Sequence, residues 1–205
     1  MNAERIHSNL LIVLALALST IPRISIGQEQ WIQKRSGHGI TVYESAGSGK
    51  FKTVKVHAVL DGTIQKLVAI LQAVDQNKDW VYATKRSYLV DKTNDSNLVY
   101  YAETSLPWPM KNRDQPIHMI IRYIDSILTV TTTGVPDRLP VNEGLIRIRK
   151  FSGIWKVVPL NSNQLQIDYI LSVDPNGSLP PWLVNLFVSK GPFETFLRLS
   201  EKLIE

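Results

Sequence analysis

The sequence predicts an α+β fold in which a curved antiparallel sheet is covered by one long C-terminal helix. Three observations carry this expectation. Stretch after stretch of the chain alternates apolar and polar side chains with the period of two of a half-buried strand, and the breaks between them are short and rich in Gly, Pro, Asn and Asp. The last such stretch, QLQIDYILSV, puts Leu165, Ile167, Tyr169, Leu171 and Val173 on one face and Gln166, Asp168 and Ser172 on the other. One side of the sheet is therefore wet, and the other needs a cover. The chain then closes with DPNGSLPPWLVNLFVSKGPFETFLRLSEKLIE, whose Leu183, Leu186, Phe187, Phe193, Phe196, Leu197 and Leu203 exceed what a surface helix requires.

Residues 1–27 stand apart from this pattern. Arg5 precedes an unbroken apolar run at residues 10–18, and Ser25, Ile26 and Gly27 follow Pro22 as a small-x-small cleavage pattern. This is the layout of a secretory signal peptide cleaved near Gly27. It predicts an exported protein, periplasmic or secreted, with one domain over residues 28–205. The nine residues of the run fall far short of the roughly 20 that span a bilayer.

A short helix is expected around Trp31. GITVYESAG and FKTVKVHAVLD then alternate through Ile40, Val42, Val54, Val56, Ala58 and Leu60, two strands joined by a turn at residues 47–49. In TIQKLVAILQAVDQ the spacing changes to three and four, with Ile64, Leu67, Val68, Leu71 and Val74 on one helical face. Five strand segments follow: WVYATKRSYLVDK, NLVYYAETS, IHMIIRYIDSILTVTTTG, GLIRIRKF running on into GIWKVVPL, and QLQIDYILSV. Their connections are short enough for an antiparallel meander. In the closing helix Pro180 and Pro181 suit a first turn, where a missing N–H costs nothing. Gly191 and Pro192 should bend or briefly break it. A curved sheet holds its concave face away from such a helix, and either large side chains or a ligand must fill the space between.

Composition narrows the chemistry. Lys and Arg number 23 against 18 Asp and Glu, an excess too small and too scattered to form a nucleic-acid-binding stripe, so no nucleic acid partner is expected. The absence of cysteine excludes disulfides, thiolate metal ligands and a cysteine nucleophile. No two of His38, His57 and His118 sit three or four residues apart with a carboxylate at ligand spacing, and GSGK at residues 47–50 is too short for a phosphate loop. No catalytic residue, metal or cofactor is predicted.

Several ordered motifs point to one family. DPNGSLPPWLVN resembles the turn and helix that end a START domain, the steroidogenic-acute-regulatory-related lipid-transfer family of the Bet v 1-like superfamily. LVYYAETSLPWPMKNRD is similar to that family's tyrosine-containing strand, Pro-Trp-Pro loop and Arg-Asp pair, and GIWKVVPL to its tryptophan-containing strand. The resemblance covers roughly residues 30–205. It departs from the pattern at Asn176, where glycine is usual, and in the export signal. It implies a helix-grip fold enclosing a hydrophobic tunnel for one lipid, sterol or other apolar small molecule. The chain would then be a monomer that touches membranes only transiently.

The tunnel wall is expected from Trp108 and Met110 in the Pro-rich loop, Ile121 and Tyr169 on strands, and Leu183, Leu186 and Phe187 on the helix. Arg113 and Asp114 follow the loop beside a strand that should line the cavity. They form a structural salt bridge at the strand start, or they fix the base of a gating loop, or Arg113 meets a ligand head group. Arg122, Arg147 and Arg149 are flanked by isoleucine and are candidates for partial burial, with the solvent-facing side as their default; a buried arginine needs a partner, and an anionic ligand head group could be one. Three functions compete: a binder or carrier of a hydrophobic molecule, an enzyme of the cyclase or aromatase type on the same fold, and an interaction module with a filled interior. An enzyme needs an interior acid or base. Asp168 and Glu194 are the candidates, and the alternation turns Asp168 outward.

Overall fold

The computed structural model describes residues 30–46 and 52–205. The apolar run at residues 10–18, the cleavage position near Gly27 and the turn at residues 47–49 lie outside them. Among the described residues one sheet contains β1 (Trp31–Gly37), β2 (Ile40–Ser45), β3 (Lys52–Asp61), β4 (Thr84–Asn94), β5 (Asn97–Thr104), β6 (Arg113–Ile124), β7 (Ile127–Gly134), β8 (Ile146–Arg147), β9 (Lys150–Asn161) and β10 (Gln164–Asp174). Its order is β1-β2-β3-β10-β9-β7-β6-β5-β4 with antiparallel neighbours, and β8 adds a short parallel pairing to the start of β6. From β4 to β10 the sheet is the expected meander. Pairing of β10 with β3 then joins the two ends of the chain, which makes β10 a central strand with Leu165 and Ile167 buried.

Four expected boundaries change: GLIRIRKF divides into β8, which pairs with β6, and the start of β9, and three others change for local reasons. Trp31 opens a strand, not a helix: β1 pairs with β2 from Trp31 against Ser45 to Gly37 against Ile40. Its turn at His38 and Gly39 has φ values of 52° and 73°, and a Cβ on Gly39 would lie 2.5 Å from the Val59 carbonyl oxygen. Glycine is required there by contact as well as by conformation. IHMIIRYIDSILTVTTTG is two strands, turned at Asp125 and Ser126, whose φ values are 48° and 67°. Such two-residue turns usually carry Asn and Gly, so this one leaves no break in the sequence pattern. Trp80 leaves WVYATKRSYLVDK to end α2 (Asn77–Trp80), so that the strand begins only at Thr84, and Trp80 is buried in the core.

The first helix, α1 (Ile64–Gln72), follows the predicted spacing and buries Leu67 and Leu71. Thr63 caps it, its hydroxyl accepting the Lys66 N–H at 3.2 Å. The C-terminal helix runs through α3 (Pro181–Asn185), a π-helical turn (Leu186–Lys190) and α4 (Gly191–Ile204). Its backbone stays right-handed helical through Lys190 and Gly191, so it is not broken. The Gly191 N–H instead donates to the Leu186 carbonyl five residues back. A proline in a helix removes a hydrogen bond and crowds the carbonyl four residues before it, and a widened turn is one way to accommodate it. Phe193, Phe196, Leu199 and Leu203 form the buried face of α4. Phe196 stacks on Trp155 at 5.2 Å, and Trp155 stacks on Tyr169 at 4.4 Å. This curved sheet wrapped on one long helix is the helix-grip arrangement.

Candidate functional site

Between the sheet and the C-terminal helix lies a cavity of about 700 Å³, within the range of about 300–1,000 Å³ typical of small-molecule sites. The register of the strands explains its wall. Residues directly opposed on neighbouring antiparallel strands share a face, and Thr84, Thr104 and Arg113 form one such row across β4, β5 and β6. Ala102 and Gln115 form the next row, Tyr100 and Ile117 the one after, and Met119 follows on β6. All of these line the cavity. Opposite them stand Phe151 and Trp155 of β9, and Tyr169, Leu171 and Val173 of β10, with Val184, Phe187 and Val188 closing the helix side.

The wall thus changes character along β6, from a guanidinium through an amide to aromatic and aliphatic groups. Burial pushes the phenols of Tyr100 and Tyr169 well above their ordinary pKa, so both remain neutral. Gly153 gives Tyr169 its place: a Cβ there would sit 2.4 Å from Thr132 Oγ1 and 3.1 Å from the Tyr169 hydroxyl. Two buried polar atoms in the wall, Trp80 Nε1 and Gln115 Oε1, have no hydrogen-bond partner among the described residues.

Arg113 and Asp114 do not pair with each other. Successive strand residues face opposite sides, and the two are drawn to different partners. Arg113, 4% exposed, lines the cavity. Its Nη1 donates to the Lys111 carbonyl at 2.6 Å and its Nε to the Pro175 carbonyl at 3.2 Å. Burial lowers its pKa from the ordinary arginine value. Asp114, fully buried, accepts from Arg147 Nε at 2.9 Å and Nη2 at 3.0 Å, from Asn142 Nδ2 at 3.1 Å and from the Tyr101 hydroxyl at 3.2 Å. Burial alone would raise the Asp114 pKa, but the hydrogen bonds from Arg147 and Asn142 and the Arg147 charge hold it below the usual aspartate value. Arg147 also donates to the carbonyls of Pro136, Leu139 and Pro140, so Asp114 and Arg147 pin the chain between β7 and β8. Arg147 is therefore buried, contrary to its solvent-facing default.

The expected wall residues scatter. Tyr169 and Phe187 line the cavity. Leu186 belongs to a smaller neighbouring pocket with Tyr82, Leu106, Pro107 and Phe187. Leu183 and Ile121 are buried outside the cavity wall, and Met110 is half-buried in the loop. Trp108 is 92% exposed: the turn closed by the Met110 N–H on the Pro107 carbonyl projects it outward, and Leu106 takes the inward place. Arg122 is exposed on β6, and Arg149 reaches Asp137 at 3.7 Å on the surface. Asp168 faces outward, with its carboxylate 2.8 Å from His57 Nδ1. Gln115 and Trp80 are absent from the expected wall, although alternation from Arg113 finds Gln115; Arg147 is among the expected arginines, but its pairing with Asp114 is not, being brought in across 33 residues.

The START domain family model matches residues 14–203. A Pseudomonas aeruginosa protein described as uncharacterized is 27% identical over 169 residues, 82% of this chain and 83% of its own length. The phosphatidylcholine transfer protein of Rattus norvegicus is 24% identical over 193 residues, covering 89% of this chain and 87% of the relative. The crystal structure of a STAR-related lipid transfer protein from Xanthomonas axonopodis superimposes with a TM-score of 0.77 at 29% identity, covering 85% of this chain and 99% of that one.

Proposed function

The chain belongs to the START domain family, and from that premise we propose that it binds one lipid or similar hydrophobic molecule in the cavity beneath its C-terminal helix and carries it unchanged. The observation that carries this reading is the cavity itself. About 700 Å³ of space remains where Ile117, Met119, Trp155, Leu171 and Phe187 converge, beside a packed core that includes Val42, Val56, Leu67, Leu165, Ile167 and Phe196. Apolar surface left facing such a space gains by burial against a ligand.

An enzyme would need an acid or base in the wall. Asp174 is the carboxylate found there among the described residues, and it accepts the Asn176 N–H at 3.0 Å. The reading therefore assigns no chemical step to the site. Transient membrane contact is part of it: Trp108 and Trp182, 92% and 56% exposed, lie on the Pro-rich loop and on α3. These two elements flank the pocket of Leu106, Pro107 and Leu186, and tryptophan favours the lipid headgroup level. In this reading the protein works as a monomer outside the cytoplasm, after cleavage near Gly27. Mass measurement of the mature N-terminus tests the export.

Mass spectrometry of organic extracts from protein purified out of its native host tests the binding. A defined lipid in stoichiometric amount is expected. Lipid-free protein that also takes up no polarity-sensitive dye would overturn the reading.

A further inference from the structure

We propose that the Arg113 end of the cavity is an anionic head-group subsite, taking amphiphiles with a carboxylate or phosphate head whose tail lies along β6 toward Met119. The proposal rests on the lipid-binding reading and names the ligand class within it. Arg113 is the cation of the cavity wall among the described residues. It is 4% exposed, and no described carboxylate lies within ion-pairing distance. A charge taken out of water in this way calls for a counter-charge. The carbonyls of Lys111 and Pro175 take Nη1 and Nε and fix the plane of the guanidinium. Its Nη2 is left without a hydrogen-bond partner among the described residues and faces Gly177, which has no side chain to cover it.

Gln115 supplies the second, independent observation. Two residues along β6 it shares the face of Arg113, is 8% exposed, and keeps a buried amide oxygen without a partner. Buried polar atoms are ordinarily satisfied. A head group that carries a hydroxyl can donate to this oxygen, and rotation of the amide offers its NH₂ to an anion. Thr84 and Thr104, opposite Arg113 in the same row, add hydroxyls to this end. The wall carboxylate, Asp174, is engaged by the Asn176 N–H in its own turn and is not the counter-ion of Arg113. Beyond Gln115 the row turns apolar at Ile117 and Met119, six residues and about 20 Å from Arg113 at the rise of a strand. Charge at one end and apolar surface along the rest is the profile of an amphiphile bound head to Arg113.

The test is displacement of a neutral polarity-sensitive dye by dodecanoate, dodecyl phosphate and dodecanol, which share a tail and differ in head. The acids are expected to displace the dye at concentrations roughly 10- to 100-fold below dodecanol, the range of one charge-assisted hydrogen bond. Arg113→Gln should bring the acids down to the level of dodecanol, while Arg113→Lys should retain part of the preference. The two acids then tell a carboxylate from a phosphate head. Equal displacement by all three on the wild-type protein overturns the subsite and needs no variant to fold; so does an equal loss for acids and alcohol in Arg113→Gln. If neither dye nor any amphiphile binds, the lipid-binding reading itself falls.

Discussion

Arg113 and Asp114 are adjacent in sequence and opposite in role, and that division is set by the strand. Both were legible as a motif, but the partner of Asp114 was not, because Arg147 reaches it only through the parallel pairing of β8 with β6. The consequence is a pH dependence with a definite sign. The Asp114 carboxyl is held below the ordinary aspartate value of 3.8. Its contribution to stability is complete above the unfolded value and is lost as pH falls through the folded one. The melting temperature should therefore drop on acidification below about pH 4. Asp114→Asn should flatten this limb and cost about 3–5 kcal/mol at neutral pH, since Arg147 is left buried and uncompensated. Thermal melts of both proteins across the acid range check it; an unchanged acid limb in the variant would show that other carboxylates set it.

Elements were easiest to read where period alone defines them. The 3.6-residue spacing of α1 and the alternation of β10 follow directly from side-chain burial and were recovered with their buried residues. The β6–β7 hairpin was hidden because Asp125 and Ser126 adopt positive φ without glycine. Asp125→Asn with Ser126→Gly should relieve that strain and raise stability by roughly 1 kcal/mol, measured by denaturant midpoint; a fall would mean that the native side chains make compensating contacts. The C-terminal helix was legible as a helix with an interruption. What a sequence does not specify is how a proline is accommodated, here by the widened turn that carries Phe187 and Val188 at the cavity wall. Gly191 is held at that point by Tyr82, whose ring carbon would lie 3.0 Å from an added Cβ. Pro192→Ala, which leaves that contact intact, should allow an α-helical register. The expected gain is about 1–3 kcal/mol in stability with slower ligand exchange in stopped flow, because a tighter turn is harder to lift. Exchange as fast as that of the parent would assign the turn to fitting the helix on the sheet alone.

At the scale of the whole molecule the hollow follows from shape. An open sheet made continuous by the pairing of β10 with β3 curves around one helix, and the helix seals it tightly only where Phe193, Phe196, Leu199 and Leu203 reach the strands. Farther along, toward α3, the two surfaces separate around the cavity. The sequence predicts the separation from the curvature of the sheet and leaves its filling open between side chains and a ligand, but it assigns the wall imperfectly, since one widened helical turn and one projecting loop decide whether Leu183, Phe187 or Trp108 faces inward. Phe187 is the residue on which this account can be tested. It meets the Tyr82 ring edge-on at 6.1 Å and borders the cavity, so Phe187→Trp has open volume to grow into. The larger ring should reduce uptake of a fluorescent fatty acid or sterol while changing the melting temperature little. In a filled interior the same change would overpack and cost about 1–3 kcal/mol. Uptake and thermal unfolding measured on one preparation separate the two, and a marked loss of stability with undiminished uptake would mean that the space beside Phe187 is not where the ligand sits.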